Sequence, residues 1–289
     1  MEIIDSHQHF WKYEPVRDVW ISEEMPVLRR DFLPDELESI YKQSGITGCV
    51  AVQADQSLDE TQFLVHLAKE YPFIKGVVGW VNLRADNILE ELEHMKTMSE
   101  VRGFRHIVQG EDADMFLQDA NFMRGIAGLQ SFEYTYDILV FARQLPAVQH
   151  FVNRFPNQPF VLDHGGKPDI RGIMLQNTKD RLNNDSFKFW KNEIALLGQH
   201  PNVYCKLSGL TTEADWIDWT YQDILPFMEV LLESFGPSRL MVGSDWPVCL
   251  LAAKKDRNVI HPMAEFINEL SIHEQQKIYS GTATSFYRL

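Results

Sequence analysis

Ile3-Ile4-Asp5-Ser6-His7-Gln8-His9, near the start of the chain, runs from two β-branched residues into a pair of histidines two apart. In an extended segment residues i and i+2 share a face, so both imidazoles project to the same side of the strand end. Short β-like runs then recur along the chain. Eight such runs can be marked: Glu2 to Ser6, Gly48 to Gln53, Ile74 to Val81, Val101 to Ile107, Tyr134 to Val140, Phe160 to His164, Val203 to Leu207 and Leu240 to Gly243.

Helical periodicity fills the intervals, at Pro34 to Gln43, Ser57 to Glu70, Asn87 to Met98, Asp114 to Gly128, Pro146 to Arg154, Ser186 to Gln199 and Trp219 to Phe235, then at Pro262 to Leu270 and Ile272 to Tyr287. Pro34 suits a first helical position, and Ser57 with Glu60 three residues later reads as a capping box. Strands alternating with helices imply a parallel sheet, and eight such units in 289 residues predict a somewhat distorted TIM (β/α)8 barrel, one α/β domain over residues 1–289. The connection from Phe10 to Leu33 is long and carries Trp11, Tyr13 and Trp20, as expected of a loop at the active-site face.

Composition sets outer limits. Apolar residues make up 45% and charged residues 24%, as in a globular protein, and the formal charge of −14 argues against a nucleic-acid partner. No apolar run reaches the roughly 18 residues of a membrane span. No leader is evident, and the expectation is a soluble cytoplasmic protein acting on a small molecule, with homo-oligomerisation left open. Cys49, Cys205 and Cys249 are odd in number and lie in or beside apolar stretches, which fits buried thiols better than chemistry.

In a barrel the C-terminal strand ends build the active site. Those ends carry His7 and His9, Gln53 and Asp55, Arg105 and His106, Asp163-His164-Gly165-Gly166-Lys167, Lys206 and Ser208, and Ser244-Asp245-Trp246-Pro247. A strand-end histidine taken alone is usually a satisfied hydrogen-bonding residue, which is the plainer reading of His106. Arg102 and Arg105 are three apart and cannot both face inward, and Arg105 is assigned to the pocket. The histidine pair has no packing role to explain it, and gains weight from a sixth-strand His164 and an eighth-strand Asp245.

On Ile4-Asp5-Ser6-His7-Gln8-His9-Phe10-Trp11, Val52-Gln53-Ala54-Asp55, Gly103-Phe104-Arg105-His106, Leu162-Asp163-His164-Gly165-Gly166-Lys167-Pro168 and Gly243-Ser244-Asp245-Trp246-Pro247, the chain resembles the amidohydrolase superfamily, in its sugar-lactonase-like amidohydrolase-2 branch. The likeness spans nearly the whole chain, to Ser285-Phe286-Tyr287. It implies hydrolysis of a small lactone such as an aldonolactone, with Asp245 as general base and His7, His9 and His164 as its catalytic partners. Arg105, His106, Lys167, Lys206, Gln53, Trp11 and Trp246 are the implied substrate contacts, with Trp20 as a further aromatic face. The resemblance implies either no metal or one divalent ion, zinc being the expected one, on His7, His9 and Asp245, with His164 as a fourth candidate. A binuclear site is not expected, because the fourth strand offers neither lysine nor glutamate as a bridge, and the fifth strand lacks a histidine. A metal-dependent decarboxylase of a hydroxylated aromatic acid and a non-catalytic sugar-acid-binding barrel are the alternatives.

Overall fold

The computed structural model describes residues 1–175, 181–253 and 260–289. Eight strands, β1 (Ile4–Gln8), β2 (Gly48–Val52), β3 (Ile74–Gly79), β4 (Val101–Ile107), β5 (Thr135–Leu139), β6 (Phe160–Leu162), β7 (Val203–Leu207) and β8 (Leu240–Val242), follow one another in chain order around one parallel sheet. The barrel closes at its mouth, where Asp245 donates its backbone N–H to the His7 carbonyl at 2.8 Å and His9 donates to that of Trp246 at 2.7 Å. This is the TIM barrel the alternation predicts.

Two differences from the sequence reading have local causes. β1 lies two residues further along than expected, since its pairing with β2 shifts register between Asp5 and Gln8 and carries the strand into the histidines. The helix expected over Asp114 to Gly128 is two helices, Ala113–Phe116 and Ala120–Ser131. Asp112 and Asp119 each cap one of them, accepting from the backbone of Met115 and Phe122. Ser57 does cap Leu58–Glu70, accepting from Glu60 N at 3.2 Å, but the Glu60 carboxylate turns away to the amides of Ala54 and Asp55. It thereby holds the loop after β2 instead of completing a capping box.

Apolar packing forms two layers. The larger cluster lies between strands and helices, while a smaller one fills the barrel's lower interior with Ile4, Val50, Val52, Val78, Val161 and Met241. The last helix, Thr282–Tyr287, stoppers that interior with Ala283, Phe286 and Tyr287. Each large side chain so buried contributes roughly 1.5–3 kcal/mol. Above this dry floor the interior turns ionic, and there the site begins. Among the described residues no helix is long and apolar enough to cross a membrane.

Candidate active site

A buried ionic layer separates the apolar floor from the mouth. The ammonium of Lys206, fully buried, lies 2.5 Å from an Asp137 oxygen, 3.0 Å from Asp163 Oδ1 and 3.1 Å from His7 Nδ1. It hydrogen-bonds to Asp137 and to the His7 ring, and its contact with Asp163 is an ion pair. Asp163 Oδ2 also accepts from Arg105 at 2.9 Å, and Asp137 accepts from the Tyr287 hydroxyl at 2.8 Å. Burial raises the Asp137 carboxyl well above its ordinary range although Lys206 opposes the shift. Burial works the same way on Asp163, yet Lys206, His7 and Arg105 outweigh it and hold that group ionised.

The histidines and Asp245 meet on top of this layer. His7 Nε2 is 3.2 Å from His9 Nε2, which is 3.5 Å from Asp245 Oδ1. His164 Nε2 stands 3.9 Å from the same oxygen, and its Nδ1 is 2.9 Å from the Ser208 hydroxyl. Both His164 and Asp245 have left-handed backbone, φ 54° and 58°. Side chains at strand ends are turned inward by such conformations, which cost of order 1–3 kcal/mol each. Asp5 braces the arrangement, since its Oδ1 accepts from His7 N at 3.1 Å and Ser244 N at 2.8 Å and so ties the first strand to the last.

Burial keeps the rings of His164 and His7 neutral, lowering the first to about 4 and the second well below its ordinary value against the pull of neighbouring carboxylates. Burial also opposes ionisation of Asp245, but His164, His9 and His7 prevail and its carboxyl is lowered overall. At neutral pH the centre holds an ionised Asp245 beside the neutral rings of His7 and His164.

His9 Nδ1 donates to the Val52 carbonyl at 2.7 Å, leaving the Nε2 lone pair facing His7 and Asp245. His7, His9 and Asp245 form one grouping able to hold a cation, and His7, Asp163 and His164 a second. Tetrahedral zinc bonds of about 2.0–2.2 Å place neighbouring ligand atoms roughly 3.3–3.6 Å apart, which the His7–His9 and His9–Asp245 separations of the first grouping match, while His7 to Asp245 is longer at 3.9 Å. The second fits less well, because Asp163 is already committed to Lys206 and Arg105.

The mouth holds a cavity of about 200 Å³. His9, Arg105, His164, Lys167 and Asp245 line it, with Trp20 on its rim. A larger hollow of about 380 Å³ between the first loop and helix Leu58–Glu70 is lined by Lys12, Arg17, Asp55, Asp59 and Glu60 and contains none of the histidines.

Five residues expected at the substrate lie elsewhere. Lys206 is beneath His7, sealed from the cavity. Gln53 is buried and uses its carbonyl oxygen and side chain to hold the Arg105 guanidinium. His106 has the opposite strand parity to Arg105 and stacks outside the barrel on Phe116, with ring centroids 4.4 Å apart. Trp246 is fully buried edge-on to Phe10 and Phe32, and Trp11 packs on Phe32 while donating to the Arg30 carbonyl at 3.0 Å. Their bulk stiffens the mouth without reaching into the cavity. Sequence reasoning placed Asp163 at a strand end without a role, and missed Asp137 and Tyr287 as parts of the site's support and Gln109 as part of its lining. For Asp137 a signal existed, a carboxylate at inward parity within an apolar strand.

The amidohydrolase family profile matches residues 4–289. The chain belongs to the amidohydrolase family. Within that family it is similar to an L-fucono-1,5-lactonase of Burkholderia multivorans, 43% identical over 293 residues that cover 99% of this chain and 96% of the relative. An L-fucono-1,5-lactonase of Burkholderia ambifaria is 31% identical over 292 residues, covering 99% and 95% of the two chains. An amidohydrolase of Burkholderia multivorans superposes with a TM-score of 0.92 at 41% identity over 100% of both chains, in one crystal with bound HEPES and in another with bound zinc.

Proposed function

We propose that this amidohydrolase opens a small sugar lactone, of the L-fucono-1,5-lactone type, by adding water to the ring ester. One observation carries the reading: an ionised carboxylate, Asp245, faces a small cavity with His7, His9 and His164 within 4 Å of it. Full-length likeness to two fuconolactonases supports the substrate class.

Ester hydrolysis needs a base for water and donors for the oxyanion. Asp245 takes a proton from a water as its oxygen bonds to the lactone carbonyl carbon. His164, in the form with hydrogen on Nε2, donates to the developing oxyanion, and Ser208 holds that form by donating to Nδ1. The tetrahedral species then collapses. Its ring carbon–oxygen bond breaks, the leaving oxygen recovers the proton from Asp245, and a hydroxy acid results. A divalent metal held by His7, His9 and Asp245 would polarise the carbonyl and ease ionisation of the water. The buried layer of Lys206, Asp163 and Asp137 holds His7 in place, and Arg105 backs the cavity wall.

A pH-indicator screen of neutral aldonolactones, with and without chelator, tests this reading. Acid release from a six-carbon or smaller lactone is expected; none from any lactone, with ligand-induced thermal stabilisation, would replace it by the binding barrel.

A further inference from the structure

The cavity holds two cationic side chains, and each is already neutralised. Lys167 Nζ lies 2.7 Å from Glu213 Oε1, with both side chains about four-fifths buried. Arg105 is paired with Asp163 at 2.9 Å and with the carbonyl of Gln53. Beneath them, Lys206 is balanced by Asp137 and Asp163. Among the described residues lining the cavity, Asp245 is the one acidic side chain.

A neutral donor at the same wall is unspent, as is the buried Nε of Arg105, whose charge is matched by Asp163. Gln109 lines the cavity, and its amide nitrogen is buried without a hydrogen-bond partner. An amide suits a hydroxyl or carbonyl oxygen, and supplies no full counter-charge for a carboxylate. The remaining wall is apolar, built from Ile107, Leu139 and Val248.

We infer that Glu213 is a specificity-determining residue, which by neutralising Lys167 restricts the site to uncharged polyhydroxylated lactones and keeps out lactones that carry a carboxylate. The inference rests on the lactonase reading and narrows it. A carboxylate entering this cavity would shed its water, meet Asp245 at short range and find no free cation to repay the cost. The same arrangement leaves the product carboxylate, formed beside Asp245, without a counter-charge. Product release is therefore favoured by the field that selects the substrate.

The test compares a neutral aldonolactone with an aldaric-acid monolactone of the same ring size. For the wild type, kcat/KM on the acid lactone is expected to be lower by about tenfold or more, with the gap narrowing as salt is raised. Glu213→Gln frees the Lys167 ammonium, so the acid-to-neutral ratio should rise about tenfold, mainly through a lower KM for the acid lactone. Adding Lys167→Met to that variant should abolish the gain. A wild type that takes both lactones equally, or a Glu213→Gln change that scales both alike, would overturn the inference. Should Glu213→Gln fail to fold, the wild-type ratio and its salt dependence still decide. A wild type that hydrolyses neither lactone would instead refute the proposed function.

Discussion

Lys206→Met removes a buried ammonium while keeping most of the side chain's length, so its effect is electrostatic rather than a cavity. Lys206 is fully buried and serves Asp137, Asp163 and His7 at once. After the substitution Asp163 keeps Arg105, but Asp137 is left with the Tyr287 hydroxyl as a neutral partner. Breaking a buried ion pair from one side costs about 3–5 kcal/mol. With an unfolding entropy near 2.1 cal/mol/K per residue over 289 residues, that loss lowers Tm by about 5–8 °C. The sign with pH follows from Asp137. Its carboxyl is already raised by burial, and losing Lys206 raises it further, so the folded variant retains a proton that the unfolded chain releases as pH climbs past about 4. The deficit should therefore be larger at pH 8 than at pH 5. Denaturant unfolding at the two pH values measures it, and Lys206→Met with Asp137→Asn should recover much of the loss. A deficit below about 1 kcal/mol, or a second substitution that only adds to it, would refute the reasoning. Wild-type Tm with a raised KM would return Lys206 to the substrate contact its sequence position implies.

Glu60 gives a second pH signature. Burial raises its carboxyl from 4.5 to about 7, against the backbone amides of Ala54 and Asp55 that favour the charged form. Between those values the folded protein binds a proton the unfolded chain has lost, so this group erodes stability as pH rises from 4.5 to 7, by about 3 kcal/mol in all. Glu60→Gln should remove that slope, and equal wild-type and variant pH dependences in urea unfolding would count against it. Tyr287→Phe deletes the hydroxyl that reaches Asp137 from the barrel floor, and should cost about 1–3 kcal/mol in the same experiment. A variant as stable as wild type would mean that Asp137 finds another donor.

The barrel was legible because eight short β-like runs alternate with helices, several of them stopping at ionisable residues. His7 and His9 could be placed together by strand parity alone, and parity allowed only one of Arg102 and Arg105 to face inward. Depth was not legible. Lys206 sits at the end of an apolar strand just as Arg105 does, yet barrel geometry sinks one below the histidines and leaves the other against the cavity. Trp246 follows Asp245 directly and reads as an aromatic wall, but its neighbours Phe10 and Phe32 come from the first loop and bury it. Tyr287 and Asp137 are 150 residues apart, and nothing local in either strand or helix announces that they touch.

The central claim is that the Asp245 carboxylate drives lactone opening. Asp245→Asn tests it most directly, because asparagine tolerates the left-handed backbone at φ 58° and changes little but charge and basicity. Steady-state acid release from the neutral aldonolactone that the wild type opens best should fall by about 10²–10⁴-fold in kcat, with Tm preserved. Turnover close to that of the wild type, in a folded variant, would contradict the account.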